Sequence, residues 1–120
     1  MDNRTACVGV VLSIDALHSL YIALGRDQAW IDAGCNGFNP LEYAGLTVWT
    51  VWKSGLGLVI VALPSATTLH DIYDGADTLA EARARWDVYE ASEFNRWNTT
   101  LAPALRKALG RPEIVLRAQD

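Results

Sequence analysis

The amino-acid sequence predicts one α+β domain, residues 1–120, with a small, mostly antiparallel or mixed sheet of about four strands packed by roughly three to four helices. Three observations lead to this fold class. Residues 6–12 are apolar and rich in valine, which is typical of a buried strand. Residues 46–63 contain two β-rich runs around a turn, which indicates a hairpin. The second half of the chain carries apolar residues at helical spacing.

The N-terminal segment, residues 6–24, allows two interpretations. In the first, the strand 6–12 leads into a helix that is capped by Ser13 and ended by Gly25. In the second, the whole segment is one helix, because a continuous stripe at helical spacing is formed by Cys7, Val10, Val11, Ile14, Leu17 and Tyr21. Gly9 and the valine cluster favour the first interpretation, since both disfavour a helix.

The centre of the chain combines short elements with the hairpin. Residues 26–33 are compatible with a short second helix, 34–40 form a loop rich in glycine and asparagine, and 41–45 carry no clear signal. Residues 46–63 are also long and apolar enough to be considered as a membrane span. Lys53 would be costly near the middle of a bilayer, and the glycines beside it are turn formers. A hairpin explains both features, with its apolar second strand inside the sheet.

The second half of the chain is predicted to be largely helical. A long helix over 77–97 would pack an apolar stripe on the sheet, formed by Leu79, Ala82, Trp86 and Tyr89 and extended by Phe94 and Trp97. Residues 98–100 interrupt the pattern and offer a new cap. The remaining predicted elements are a short helix within 65–73, a helix from Pro103 to Leu109 that ends at Gly110, and a last strand over 113–118.

Composition limits the classes of function. Hydrophobic residues make up 51% of the chain and charged residues 20%, which excludes a disordered protein. The net charge of -4 disfavours nucleic acid as a partner, because phosphate binding requires a basic face. Cys7 and Cys35 are too few for a disulfide scaffold and match no zinc or redox spacing. We therefore expect a cytoplasmic protein with no membrane and no nucleic acid among its direct partners.

Five tryptophans are the most unusual feature of the composition. Trp49 and Trp52 both fall on the first strand of the predicted hairpin, at positions that point to opposite faces of a sheet. One helix-packed core cannot bury both rings, so we expect helices on both faces or an exposed ring. Because tryptophan is enriched at protein interfaces, Trp49 and Trp52 are the candidate protein-binding residues.

One cluster of polar residues is a candidate ligand site. His70 is followed by Asp71, Asp74 and Asp77, and the first two acids would share a face of a helix. Oxygen-rich clusters of this kind suit hard cations such as Mg²⁺. Helix capping and solvent exposure account for the same acids, so we expect neither a metal nor a cofactor. The sequence holds no nucleophile elbow and no phosphate-binding loop.

These observations favour a small acidic, non-enzymatic protein that acts by binding another protein with a basic surface. Inhibitors, immunity-type proteins and adaptor modules, including those encoded by phages and mobile elements, belong to this class. The alternative hypothesis is a small enzyme or ligand-binding domain with a pocket near His70, Asp71 and Asp74. A homodimer is compatible with either hypothesis.

Overall fold

The computed structural model of this protein describes residues 4–50 and 57–117. Ten elements follow one another along this part of the chain: β1 (Thr5–Ser13), α1 (Ile14–Ala23), α2 (Gln28–Asp32), α3 (Pro40–Tyr43), β2 (Thr47–Thr50), β3 (Leu58–Ala62), α4 (Leu69–Tyr73), α5 (Leu79–Thr100), α6 (Pro103–Leu109) and β4 (Glu113–Arg117). They form the expected α+β architecture. The described ranges hold six helices, more than the roughly three to four expected. The helix without a sequence signal is α3, whose four residues are too few to show a helical period.

The four strands form one antiparallel sheet in the order β2-β3-β1-β4. Val61 of β3 lies opposite Val10 of β1 on one side and Val48 of β2 on the other, so β3 is an inner strand as predicted. Ile114 of β4 pairs with Val8 of β1. This order of strands and connections is the split β-α-β arrangement known from ferredoxin-like domains, with additional short helices. The arrangement by itself indicates no function.

The boundary between β1 and α1 decides the N-terminal ambiguity in favour of a strand followed by a helix. Ser13 has an extended backbone, and its side-chain oxygen accepts a hydrogen bond of 3.0 Å from the backbone amide of Ala16. Gly25 then follows α1 with a φ of 97°, a left-handed conformation that glycine adopts without steric cost. The interpretation of residues 6–24 as one continuous helix is therefore wrong.

The hairpin prediction for 46–63 is confirmed by the antiparallel pairing of β2 with β3. Its proposed turn, with Lys53, Ser54 and Gly55, lies outside the described residues, as does Trp52. In the described ranges, no helix is long and apolar enough to cross a membrane. The segment weighed as a span contributes two short strands to the sheet instead.

The helices pack on one face of the sheet, which we call the helix-packed face. Its main cluster joins Val8, Val10 and Val61 to apolar side chains of α1, α2, α3, α5 and α6. The second face carries a smaller cluster, whose described members all lie on strands: Cys7, Ile60 and Ala62 with the partly buried Trp49 and Val115. Alternate strand residues thus supply two separate apolar surfaces.

Helix α5 departs from its predicted bounds at both ends. Thr78 caps its first turn, with its side-chain oxygen 3.1 Å from the backbone amide of Glu81. The helix runs through residues 98–100, where an interruption was predicted, and ends at Thr100. The expected new cap at 98–100 is also absent, because α6 begins after Ala102, which makes no side-chain capping bond. Pro103 and Gly110 open and close α6 as predicted.

Candidate functional site

The segment formed by α4 and the first half of α5, residues 69–90, is the most exposed part of the helical layer. We call it the α4–α5 projection. Three of its large apolar side chains face solvent: Tyr73 is 37% exposed, Val88 72% and Leu79 85%. The sequence placed Leu79 in the stripe that packs on the sheet, and that assignment is wrong. Leu79 is the first residue of the helix, and it lies outside the apolar cluster in which Trp86 and Tyr89 pack against Ala6 of β1.

The net charge of the protein is concentrated in the same segment. Residues 69–90 contain six acidic residues and two arginines, which gives -4. Outside this segment eight acidic and eight basic residues balance, so the projection accounts for the entire net charge of the chain. Glu81–Arg85 and Arg83–Asp87 have the i,i+4 spacing of helix ion pairs, but neither is among the salt bridges given for the described residues, which include Arg96–Glu93 at 2.7 Å. The acidic field of the projection is therefore left largely open to solvent.

Local capping builds the α4–α5 corner. Thr68 and Asp71 form a reciprocal capping box, in which each side chain accepts a backbone hydrogen bond of 3.1 Å from the other residue. Gly75 turns the chain with a φ of 76°. The backbone amide of Asp77 donates to Glu81 Oε2 at 3.1 Å, so a second acid stabilises the start of α5.

An aromatic cluster joins the projection to the sheet. Trp86 and Tyr89 pack with Ala6 of β1 and with Ile72 of α4. The rings of Tyr73 and Trp86 are stacked with centroids 6.2 Å apart. The Tyr89 hydroxyl donates a hydrogen bond of 3.0 Å to the backbone carbonyl of Ala6. Burial, reinforced by the nearby Glu93 carboxylate, raises the pKa of Tyr89 from its ordinary 10.0 to about 12.

Two grooves run along opposite sides of α5. The first groove has a volume of about 610 Å³ and lies between α4 and α5; its lining includes Asp71, Ile72, Glu81, Val88 and Tyr89. The second groove, about 570 Å³, is lined on α5 by Leu79, Arg83, Trp86, Asp87 and Glu90, with Tyr73 from α4. Both grooves thus have apolar floors and charged rims. Their α5 residues recur every three or four positions, which is the spacing of one helix face.

The candidate ligand residues His70, Asp71 and Asp74 have separate surroundings. The Asp71 carboxylate is engaged in the capping box. Its pKa is lowered mainly by the hydrogen bond from the Thr68 backbone amide and, to a smaller extent, by hydrogen bonding with the Thr68 side chain. Asp74 is the C-cap of α4, and His70 is exposed. Only Asp71 lines the first groove. Across the described ranges, no three histidine, cysteine, aspartate or glutamate side chains are grouped as a metal site would require.

Trp49 points to the second face of the sheet, away from the helices. It is partly buried against Ile60 and its neighbours, and the Arg117 guanidinium lies 4.7 Å from its ring centroid. Side chains of β3 and of the opposite edge strand β4 therefore cover part of the ring. The role of Trp49 and Trp52 in binding a partner remains a prediction.

The two cysteines lie on opposite sides of the sheet. Cys7 belongs to the second face, whereas Cys35 packs against the cluster on the helix-packed face. Both thiols are free, and burial raises the pKa of Cys7, whose Sγ donates to the Val115 carbonyl at 3.6 Å. A raised pKa keeps that thiol protonated and makes it a poor nucleophile.

Sequence reasoning missed Val88 as a surface residue. The signal was present, because Val88 falls on the polar side of α5, nearly opposite the predicted apolar stripe. An apolar residue on the wet side of an amphipathic helix is an informative departure from the pattern. Searches against family models, curated proteins and solved structures found no match to this chain.

Proposed function

We propose that this protein acts by binding another protein and that the α4–α5 projection is its contact surface. One observation carries the proposal: the exposed side chains Leu79 and Val88 occupy the same segment as the entire net charge. Leu79 and Val88 line separate grooves on opposite sides of α5, and each lies among charged side chains. Apolar side chains surrounded by charged ones are the usual composition of a protein–protein interface.

The charge of the projection indicates a partner with a basic surface. A charge of -4 on residues 69–90 would attract basic groups over roughly a Debye length, about 8–10 Å at physiological salt. Such attraction speeds encounter and makes the association sensitive to salt. It also opposes the pairing of two projections in a homodimer, because both copies would present the same acidic segment.

A capture experiment with matched variants tests this proposal. The tagged full chain is cross-linked in an extract of its source cells, alongside the double variant Leu79→Ser/Val88→Ser. Both side chains are exposed, so this variant should fold normally and lose the cross-linked partner. The control is Phe38→Ser/Tyr43→Ser, which removes two exposed aromatic rings, 56% and 83% exposed, that lie outside the projection.

The result that supports the proposal is a partner lost from the first variant and kept by the second. Capture that is equal in all three proteins would overturn it, since the projection would then not be the contact surface. Capture lost equally from both variants would overturn it as well, because the loss would not depend on where the apolar side chains lie. Circular dichroism of each variant confirms that the fold is intact.

A further inference from the structure

We infer that the first groove, between α4 and α5, binds a basic amphipathic helix of about three turns in the partner. This inference rests on the proposed function and specifies which segment of the partner is recognised. It differs from the proposal in that the second groove and its residue Leu79 lie outside the binding site.

The groove is open to solvent, which favours a larger occupant over a small molecule. Val88 on its wall is 72% exposed, and Asp71, Glu81 and Arg85 along its rim are exposed too. A small-molecule site usually encloses about 70–90% of its ligand. A groove this open cannot enclose a small molecule, but it can accept one side of a helix.

The walls of the groove favour a helical occupant over an extended one. An extended peptide gains affinity by hydrogen bonding to the free edge of a sheet. Both walls here are helices, α4 and α5, whose backbone groups are bonded within the helix or capped. The groove therefore offers side-chain contacts only, which is the way an amphipathic helix is bound.

The dimensions and chemistry set the properties of that helix. The α5 wall extends from Glu81 to Ser92, about 16 Å at 1.5 Å per residue, which corresponds to three helical turns. Ile72 and Tyr89 supply an apolar floor, and Val88 supplies an apolar side chain on the wall. The rim carries two carboxylates, Asp71 and Glu81, against one arginine. A matching helix places apolar residues at i, i+4 and i+7 and lysine or arginine on either side of them.

A binding experiment with synthetic peptides tests the inference on the full chain. The first peptide has about 15 residues, with leucine at i, i+4 and i+7 and lysine at the flanking positions. The second has the same composition in scrambled order, and the third has glutamate in place of lysine. Isothermal titration calorimetry at low salt should detect the first peptide and show binding weaker by at least about tenfold for the other two.

Two variants on the same helix locate the site. Val88→Lys alters the first groove, and Leu79→Lys makes the same change of charge on the second groove. We expect Val88→Lys to weaken the first peptide by at least about tenfold, because it removes an apolar contact. Leu79→Lys should weaken it by less than about threefold, because it changes only the long-range charge.

Three results would overturn the inference. Equal weakening by both variants would show that the peptide responds only to net charge, and no effect of Val88→Lys would place the peptide elsewhere. Sedimentation that shows a dimer of the free chain, dissociated by Val88→Lys, would make the groove a contact between copies of this chain. The peptide experiment can contradict the inference without contradicting the proposed function. The proposed function still holds if Leu79→Ser/Val88→Ser loses the partner in the capture experiment, so the two hypotheses can be tested separately.

Discussion

The two halves of α5 differ in their surroundings although they belong to one continuous helix. In the second half, Trp97 is 1% exposed and packs in the main cluster of the helix-packed face. In the first half, Leu79 and Val88 are exposed, and Trp86 and Tyr89 are half-buried. Periodicity identifies residues that share a face, but only contact with another element makes that face part of a core.

The two halves of α5 suit different roles: the second half suits stability, and the first half suits the binding role that we propose for it. A domain gains most stability where large side chains are fully removed from water. A binding surface needs apolar groups that remain accessible until the partner arrives. One helix can meet both needs, because its second half packs against the core while its first half contacts mainly α4 and the start of β1.

The largest expected effect is at Trp97, in the buried half. Trp97→Ala should lower the free energy of unfolding by about 3–5 kcal/mol, because it empties a large aromatic site in a packed core. Urea denaturation followed by circular dichroism measures this change. A loss below about 1 kcal/mol would contradict the distinction between the two halves, since Trp97 would then not be a core residue.

A smaller effect is expected at Trp86, which belongs to the projection and is partly buried against α4 and β1. Trp86→Ala should cost about 1.5–2.5 kcal/mol, roughly half the cost of emptying a fully buried site. The sequence alone would predict the full cost, because it places Trp86 in the core stripe. The same denaturation experiment separates the two values: a loss equal to that of Trp97→Ala would extend the buried half of the helix to Trp86.

The hydroxyl of Tyr89 should have an effect that depends on pH. Tyr89→Phe removes the hydrogen bond to the Ala6 carbonyl and should cost about 0.5–1.5 kcal/mol at neutral pH. The pKa of Tyr89 is raised on folding, so the folded state holds its proton more tightly and stability declines as pH rises from 10.0 through about 12. Because the phenylalanine variant lacks this ionisation, its stability should decline less steeply over that range.

Tyr43→Phe is the matched control for this pH dependence. Its ring is 83% exposed, so the free energy of unfolding should change by less than about 0.5 kcal/mol. Denaturation curves at neutral and alkaline pH compare the two variants. An alkaline decline of the same slope in Tyr89→Phe and in the unmodified chain would show that Tyr89 does not contribute to it.

The smallest effects on stability are expected in the exposed half. Leu79→Ser and Val88→Ser should each change the free energy of unfolding by about 0.5 kcal/mol or less, because neither side chain is removed from water on folding. Thermal unfolding of the free chain measures both. A loss above about 1.5 kcal/mol for either variant would place that residue in a packed contact and remove the contrast between the halves.

Much of the secondary structure could be predicted because its signals are local. Ser13, Gly25, Pro103 and Gly110 mark helix ends through their own backbone preferences and hydrogen bonds, and all four act at the predicted positions. The hairpin was also recognisable, since its turn residues separate two β-rich runs that are close in sequence.

The candidate site could be predicted only in part. Asp71 was identified, but its capping role and its place on the rim of a groove depend on Thr68 and on the approach of α5. Leu79 was assigned to the core and Val88 was overlooked, because the hydropathy pattern of a helix does not show which of its turns contact the sheet. Gly9 was recognised as unfavourable in a helix, yet its packing reason is tertiary: an added Cβ would lie 2.5 Å from the Cβ of Ala62 on β3.

The sequence by itself determined most of the longer elements, their boundaries at strong caps and the acidic character of residues 69–90, because each depends on residues near one another in the chain. The tertiary structure alone decided the strand order β2-β3-β1-β4, the burial of Trp97 and the exposure of Leu79 and Val88. These features depend on contacts between distant segments. Whether a side chain is buried depends on which other elements contact it in the fold. The hydropathy pattern of one helix carries no information about those contacts.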